Sequence, residues 1–243
     1  MASTAAILVI GNEILSGKIR DANVPYLAEE LFGLGVELHR VVMCRDDVAV
    51  IADEVNLLRA SHDVVFTTGG VGPTHDDVTL EAVALAFGRQ LARAGDIERL
   101  IRGHFGDRTT EGHLRMADIP EGATLVRSGE MPWPTVLVEN VYIFPGVPEI
   151  LRMKFPVLRD QLRADAPFVS RRLFTKADEF ELADILDEAA AAHPEVSIGS
   201  YLAWDTTEYA VKLTFDGKDA EAVDAAVAHL VDGIDPEKLV RVE

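Results

Sequence analysis

Ala6 to Ile10 forms a short, unbroken apolar run, the pattern of a strand covered on both faces. Val24, Leu27, Ala28, Leu31 and Phe32 follow at helical spacing, and Gly33 and Gly35 end the helix they predict. Val36 to Met43 then reads as a second strand, Val48 to Leu58 as a second helix and Asp63 to Thr67 as a third strand. Val78, Ala82, Val83, Leu85 and Ala86 return to helical spacing. Strands alternating with helices predict a mostly parallel sheet with helices on both sides. Ligands in such sheets bind beyond the carboxyl ends of the strands, and the loops after Ile10 and Thr67 both leave from such ends.

Residues 88–112 read as further helix with polar connections. Val136–Glu139 and Val141–Phe144 predict a hairpin around Glu139-Asn140, or two successive edge strands. Pro148 suits the first turn of a helix running from Glu149 to Leu162, because the N–H it lacks would be unpaired there. Pro145 and Gly146 form the turn before it, a third loop of the strand-to-helix type. Near Ala166-Pro167 the pattern changes, so the expected domains are 1–167 and 168–243. The second domain reads as strands at 172–175, 196–202, 208–215 and 238–242, with helices at 179–192 and 220–231. That order describes a small α+β domain.

The densest chemistry lies in Thr67 to Asp77, where three glycines, a proline and two adjacent carboxylates connect a strand to a helix. Gly69, Gly70 and Gly72 can take positive φ and let a ligand approach bare backbone. The helix that follows offers the positive end of its dipole to a phosphate. Asp76 and Asp77 could hold a divalent cation against that phosphate, or one of them could simply cap the helix. Glu13, at the end of the first strand, could join them or orient a ribose hydroxyl, or could be an exposed loop residue. His75 is the best-placed histidine for orienting a water, and the remaining six show no metal-ligand spacing. Asn23 reads as a ligand-facing amide or an ordinary helix-start residue. Lys18 and Arg20 read as solvated charges in preference to phosphate ligands.

A formal net charge of -18 works against binding nucleic acid or anionic membranes, which depends on Lys and Arg contacts. Any phosphate must therefore be held locally. Cys44, the single cysteine, excludes an internal disulfide and a cysteine-built zinc site, and its apolar surroundings predict a buried side chain. No stretch approaches the roughly 20 apolar residues that span a bilayer. The N-terminal apolar run lacks a basic region before it and is broken at Gly11-Asn12-Glu13. These features predict a soluble cytoplasmic protein.

Thr68-Gly69-Gly70-Val71-Gly72-Pro73-Thr74-His75-Asp76-Asp77 resembles the signature of the MoaB/Mog-type molybdopterin-binding fold. Within that fold it resembles the N-terminal half of the competence/damage-inducible protein A (CinA) family and the companion domain of eukaryotic FAD synthases. Ile10–Gly17 with Asp21-Ala22-Asn23, Pro120–Ala123 and Pro145–Pro148 resemble the other landmarks of the family. The resemblance implies a three-layer α/β/α sandwich with a mostly parallel sheet, followed by a small KH-like α+β domain. That second region lacks the Gly-x-x-Gly loop a nucleic-acid-binding KH module needs, and residues 170–243 carry 7 Lys/Arg against 17 Asp/Glu. The sequence given ends there, so a form without the C-terminal amidohydrolase domain of CinA proteins is expected.

The implied activity is metal-dependent hydrolysis of the pyrophosphate of an ADP-containing metabolite, ADP-ribose or FAD. The alternatives are a non-hydrolytic pterin or nucleotide binder or transferase of molybdenum-cofactor assembly, and a domain retained for protein contacts. Asp76, Asp77 and His75 are the expected catalytic residues, with Glu13 joining the aspartates around the metal. Gly11, Glu13, Asn23, Thr68, Gly69, Gly70, Gly72, Thr74 and Gly146 are the expected phosphate- or nucleotide-binding residues. The expected cofactor is a divalent metal (Mg, Mn or Co), with a monovalent cation as a further candidate. The expected partners are a small nucleotide or pterin and a second copy of the chain, with no nucleic acid or membrane. Met131-Pro132-Trp133 replaces the usual Ala-Pro-Gly turn, and Arg127-Ser128-Gly129-Glu130 replaces an asparagine-containing stretch. Trp133 could stack on a nucleobase or flavin-like ring, or anchor its own loop.

Overall fold

The computed structural model describes residues 3–127 and 131–243, so Ser128, Gly129 and Glu130 of the departing stretch lie outside the described residues. The chain divides into Met1–Asp165 and Ala166–Glu243. The first unit opens with β1 (Thr4–Ile10), α1 (Asn12–Leu15), α2 (Asn23–Gly33), β2 (Glu37–Cys44), α3 (Val48–Arg59) and β3 (Val64–Thr68). It continues through α4 (Thr79–Ala86), β4 (Leu91–Arg93), α5 (Gly95–Phe105), α6 (Glu111–Arg115), β5 (Asp118–Pro120) and β6 (Thr124–Val126). A hairpin of β7 (Thr135–Val138) and β8 (Val141–Phe144) leads into α7 (Pro148–Lys154) and α8 (Arg159–Leu162).

Six strands form one sheet in the order β2-β1-β3-β8-β7-β6. β2, β1, β3 and β8 are parallel, whereas β7 and β6 are antiparallel to their neighbours. β1 explains the layering: Ala6, Leu8 and Ile10 pack with α3 and α4, and Ala5, Ile7 and Val9 pack with α2 and α7. Both faces are covered, and the unit is a three-layer α/β/α sandwich. β1 runs to β2 on one side while β3 lies on the other. The strand order therefore reverses between β1 and β3, where a crevice opens at their carboxyl ends.

Three details depart from the pattern reading. Residues 88–112 contain β4, which pairs with β5 through three exposed residues, too few to show a period. The expected helix 149–162 breaks into α7, a 3₁₀ turn at Phe155–Leu158 and α8, because Pro156 cannot continue the hydrogen-bond ladder. β8 is not an edge strand; it lies between β3 and β7, and all four of its residues are buried.

The second unit contains β9 (Val169–Thr175), α9 (Glu179–Ala192), β10 (Ser197–Leu202), β11 (Val211–Gly217), α10 (Ala220–Gly233) and β12 (Leu239–Val242). Its antiparallel sheet has the order β10-β11-β9-β12. Leu173, Leu213 and Phe215 pack against Leu182 of α9 and Val223 and Leu230 of α10. A reciprocal cap between Asp178 and Glu181 starts α9, and Asp219 accepts from Glu221 N–H to start α10. No helix among the described residues is long and apolar enough to cross a membrane.

Candidate functional site

Three loops converge at the carboxyl ends of β1, β3 and β8. Gly69 N–H donates to Phe144 O at 3.1 Å, which joins the second loop to the third. A Cβ on Gly146 would lie 3.4 Å from Gly69 Cα, so the two loops pack backbone on backbone. Asn23, at the start of α2, donates from Nδ2 to Gly146 O at 2.9 Å and links the first loop to the third. Together they border a cavity of about 710 Å³.

Gly69 and Gly70 adopt φ values of 103° and 63°, the left-handed region that the sequence anticipates. Gly72 does not; its role is spatial, since a Cβ there would come within 2.6 Å of the Asp77 carboxylate. The Gly69 amide is spent on Phe144, and Thr79 N–H donates to Gly70 O at 3.0 Å. The Gly69 amide is therefore not free for phosphate. The amides of Gly70, Val71 and Gly72 have no acceptor among the described residues.

Asp76 and Asp77 are not equivalent. Asp77 lines the cavity, and its Oδ2 accepts from Thr74 N–H at 2.8 Å and from the Thr74 hydroxyl at 2.5 Å. Asp76 does not line it; its exposed carboxylate accepts from the Thr74 hydroxyl at 2.6 Å, which holds it below the usual carboxylate range. Neither caps α4, whose N-cap position is Val78. His75 is 94% exposed and outside the cavity wall, as are Thr74 and Gly11. Glu13, Asn23, Thr68, Gly69, Gly70, Gly72 and Gly146 all line it.

Among the other lining residues, Arg20 and Trp133 were read from the sequence, whereas Ile97, Phe105, Met116, Val136 and Lys154 were not. Arg20 lines the cavity while Lys18 does not. Ile97, Phe105, Met116 and Val136 give one part of the wall an apolar lining, with Trp133 beside His104 at 6.3 Å between ring centroids. Lys154 also lines the cavity and is buried, which its place on the helical stripe Leu151, Lys154, Phe155, Leu158 would have signalled. Outside the cavity wall, Arg115 supports the glycine loop by donating to Pro73 O at 3.1 Å.

Cys44 is buried at the end of β2, and burial pushes its thiol up to about 11. Ionisation alone should then slow its reaction with a disulfide reagent at pH 8 roughly 100-fold relative to a free thiol. Following the released thiolate before and after adding denaturant checks this; fast labelling of the native protein would contradict it.

A family described as "Probable molybdopterin binding domain" matches residues 6–164, two thirds of the chain. The chain belongs to this family, in its MoaB/Mog-like, CinA-related branch. "FAD synthase, middle domain" matches residues 167–243. A protein of Archaeoglobus fulgidus is 33% identical over 91% of this chain and 93% of its own length. A "Probable FAD synthase" of Caenorhabditis elegans is 32% identical over 93% of this chain, which spans only 49% of that relative. The crystal structure of CinA from Thermoplasma acidophilum superposes with a TM-score of 0.61 at 28% identity, covering 66% of this chain and 98% of that one. These family relationships associate the chain with nucleotide-related, MoaB/Mog-type proteins.

Proposed function

We propose that the cavity binds an ADP-containing metabolite, ADP-ribose or FAD, and hydrolyses its pyrophosphate with the help of a divalent metal. The observation that carries this reading is one cavity with unoccupied amides at Gly70, Val71 and Gly72, carboxylates at Glu13 and Asp77, and an apolar wall around Trp133. The amides receive a phosphate oxygen, and the apolar wall covers a planar ring. Water adds at one phosphorus and the P–O–P bridge breaks, giving AMP with ribose 5-phosphate or FMN.

No group of three or more His, Cys, Asp or Glu side chains among the described residues forms a ready-made metal site. Glu13 and Asp77 nevertheless suit Mg²⁺ or Mn²⁺, ions commonly held by one or two carboxylates together with substrate phosphates. When bound, such an ion would neutralise the pyrophosphate and acidify a water. Thr74 orients Asp77 for that task through both its N–H and its hydroxyl.

The test is incubation with ADP-ribose, FAD and NAD in Mg²⁺, Mn²⁺ or Co²⁺, following AMP release. The expected result is metal-dependent AMP from ADP-ribose or FAD that stops on adding EDTA. Tight binding without turnover under every metal would favour the second reading, a non-hydrolytic nucleotide or pterin binder. Trp133→Ala is expected to raise KM about tenfold and leave kcat within a factor of about three, as loss of ring contact does. An unchanged KM would take Trp133 off the ligand.

A further inference from the structure

Among the described residues, Lys154 is the only buried residue that carries a charge, with 7% of its surface exposed. The helix places it there. Leu151, one turn earlier, and Phe155, the next residue, are both fully buried, so Lys154 shares the inward stripe of α7 and its 3₁₀ extension. An ammonium has three donors, and one hydrogen bond is found here, from Nζ to Pro134 O at 2.8 Å. No carboxylate lies within ion-pair reach among the described residues. A buried cation without an anion is costly and is ordinarily paired.

A second group points to the same wall. Asn23 is 4% exposed, its Nδ2 is held by Gly146 O, and its Oδ1 has no partner. Lys154 and Asn23 both line the cavity. One has unused donors and the other an unused acceptor, a complement to a phosphate oxygen and a sugar hydroxyl of a single ligand.

We propose that Lys154 is the anion anchor of the cavity, its ammonium taking a phosphate oxygen of the bound nucleotide while Asn23 Oδ1 accepts from a neighbouring hydroxyl. This rests on the nucleotide reading above and adds to it the site of charge recognition. Pro134 follows Trp133, so the Lys154 ammonium is tied to the segment that carries this ring. Burial alone brings the Lys154 ammonium down to about 8, and an arriving anion raises it again.

The experiment is calorimetry in EDTA on the wild type, Lys154→Met and Lys154→Arg, with ADP-ribose and adenosine as ligands. Lys154→Met should weaken ADP-ribose about 10- to 30-fold, leave adenosine within about twofold and keep the thermal midpoint at or above wild type. Lys154→Arg should restore part of the lost ADP-ribose affinity. At pH 8 the wild type should take up about half a proton on binding ADP-ribose, read from two buffers of different ionisation enthalpy. Lys154→Met should take up none beyond what the shared groups Glu13, Arg20, Asp21, Asp77 and His104 contribute in both proteins. Wild-type ADP-ribose affinity in Lys154→Met, or an equal loss for adenosine, would overturn the proposal. If the wild type binds neither ligand, the nucleotide reading fails by itself. Inorganic pyrophosphate, followed by the NMR signal of the Lys154 side chain, then decides the anchor: a shift upholds it and no shift ends it.

Discussion

Asp77→Asn is expected to lose about 100-fold or more of metal-stimulated AMP release, whereas Asp76→Asn keeps activity within about threefold. The two residues are adjacent in the chain, yet only Asp77, like Glu13, lines the cavity. The replacement is nearly isosteric. The carboxamide oxygen it introduces can still accept from Thr74 N–H, which lies 2.8 Å from the native Asp77 carboxylate, so the loop keeps its tie. What disappears is the negative charge, worth several kcal/mol where it offsets a divalent ion. Asp76 is solvated and held by the Thr74 hydroxyl, so removing its charge changes little at the cavity. Turnover should be measured across a metal titration, with folding checked by circular dichroism. Equal losses in both variants would bring Asp76 into the site, and an unaffected Asp77→Asn would remove this carboxylate from the chemistry.

That asymmetry marks how far the sequence could be read. The period of β1 and α2, and the glycines between a strand and a helix, follow from local rules, so the α/β sandwich and its special loops were legible. Which aspartate faces inward was not. It depends on the Thr74 turn, which draws both carboxylates to one hydroxyl and leaves only one of them on the wall. Lys154 was hidden for a different reason. A lysine near a helix end reads as a solvated charge, and the apolar stripe of Leu151, Phe155 and Leu158 is the sequence signal that sets it inward. The strands β4 and β6 have three residues each, too few to show alternation, and gain their pairing from partners distant in sequence. Gly72 lacks the positive φ expected of it from the sequence, and what a Cβ there would meet is the end of the Asp77 side chain.

The two glycines should consequently respond to alanine in opposite ways. At Gly69 a methyl group meets backbone: φ is 103°, and the added Cβ would overlap the Ile10 carbonyl oxygen at the end of β1. Neither side can yield. Gly69 N–H is bound to Phe144 O, its carbonyl accepts from the Thr79 hydroxyl at 2.8 Å, and Gly146 packs against its Cα. Backbone strain of about 1–3 kcal/mol adds to the overlap, so Gly69→Ala should cost about 3–5 kcal/mol. For a chain of this size that lowers the thermal midpoint by roughly 6–20 °C, and ligand binding should fall with it as the three loops separate. At Gly72 the same methyl meets only the end of a side chain, the Asp77 carboxylate, which can rotate away. Gly72→Ala should therefore keep its midpoint within about 2 °C and lose activity, because the displaced carboxylate is the one facing the cavity. Thermal melts and AMP release measured on both variants separate the two effects. A stable, active Gly69→Ala would mean that the three loops are not locked through that residue, and a fully active Gly72→Ala would mean that the position of Asp77 is immaterial to turnover.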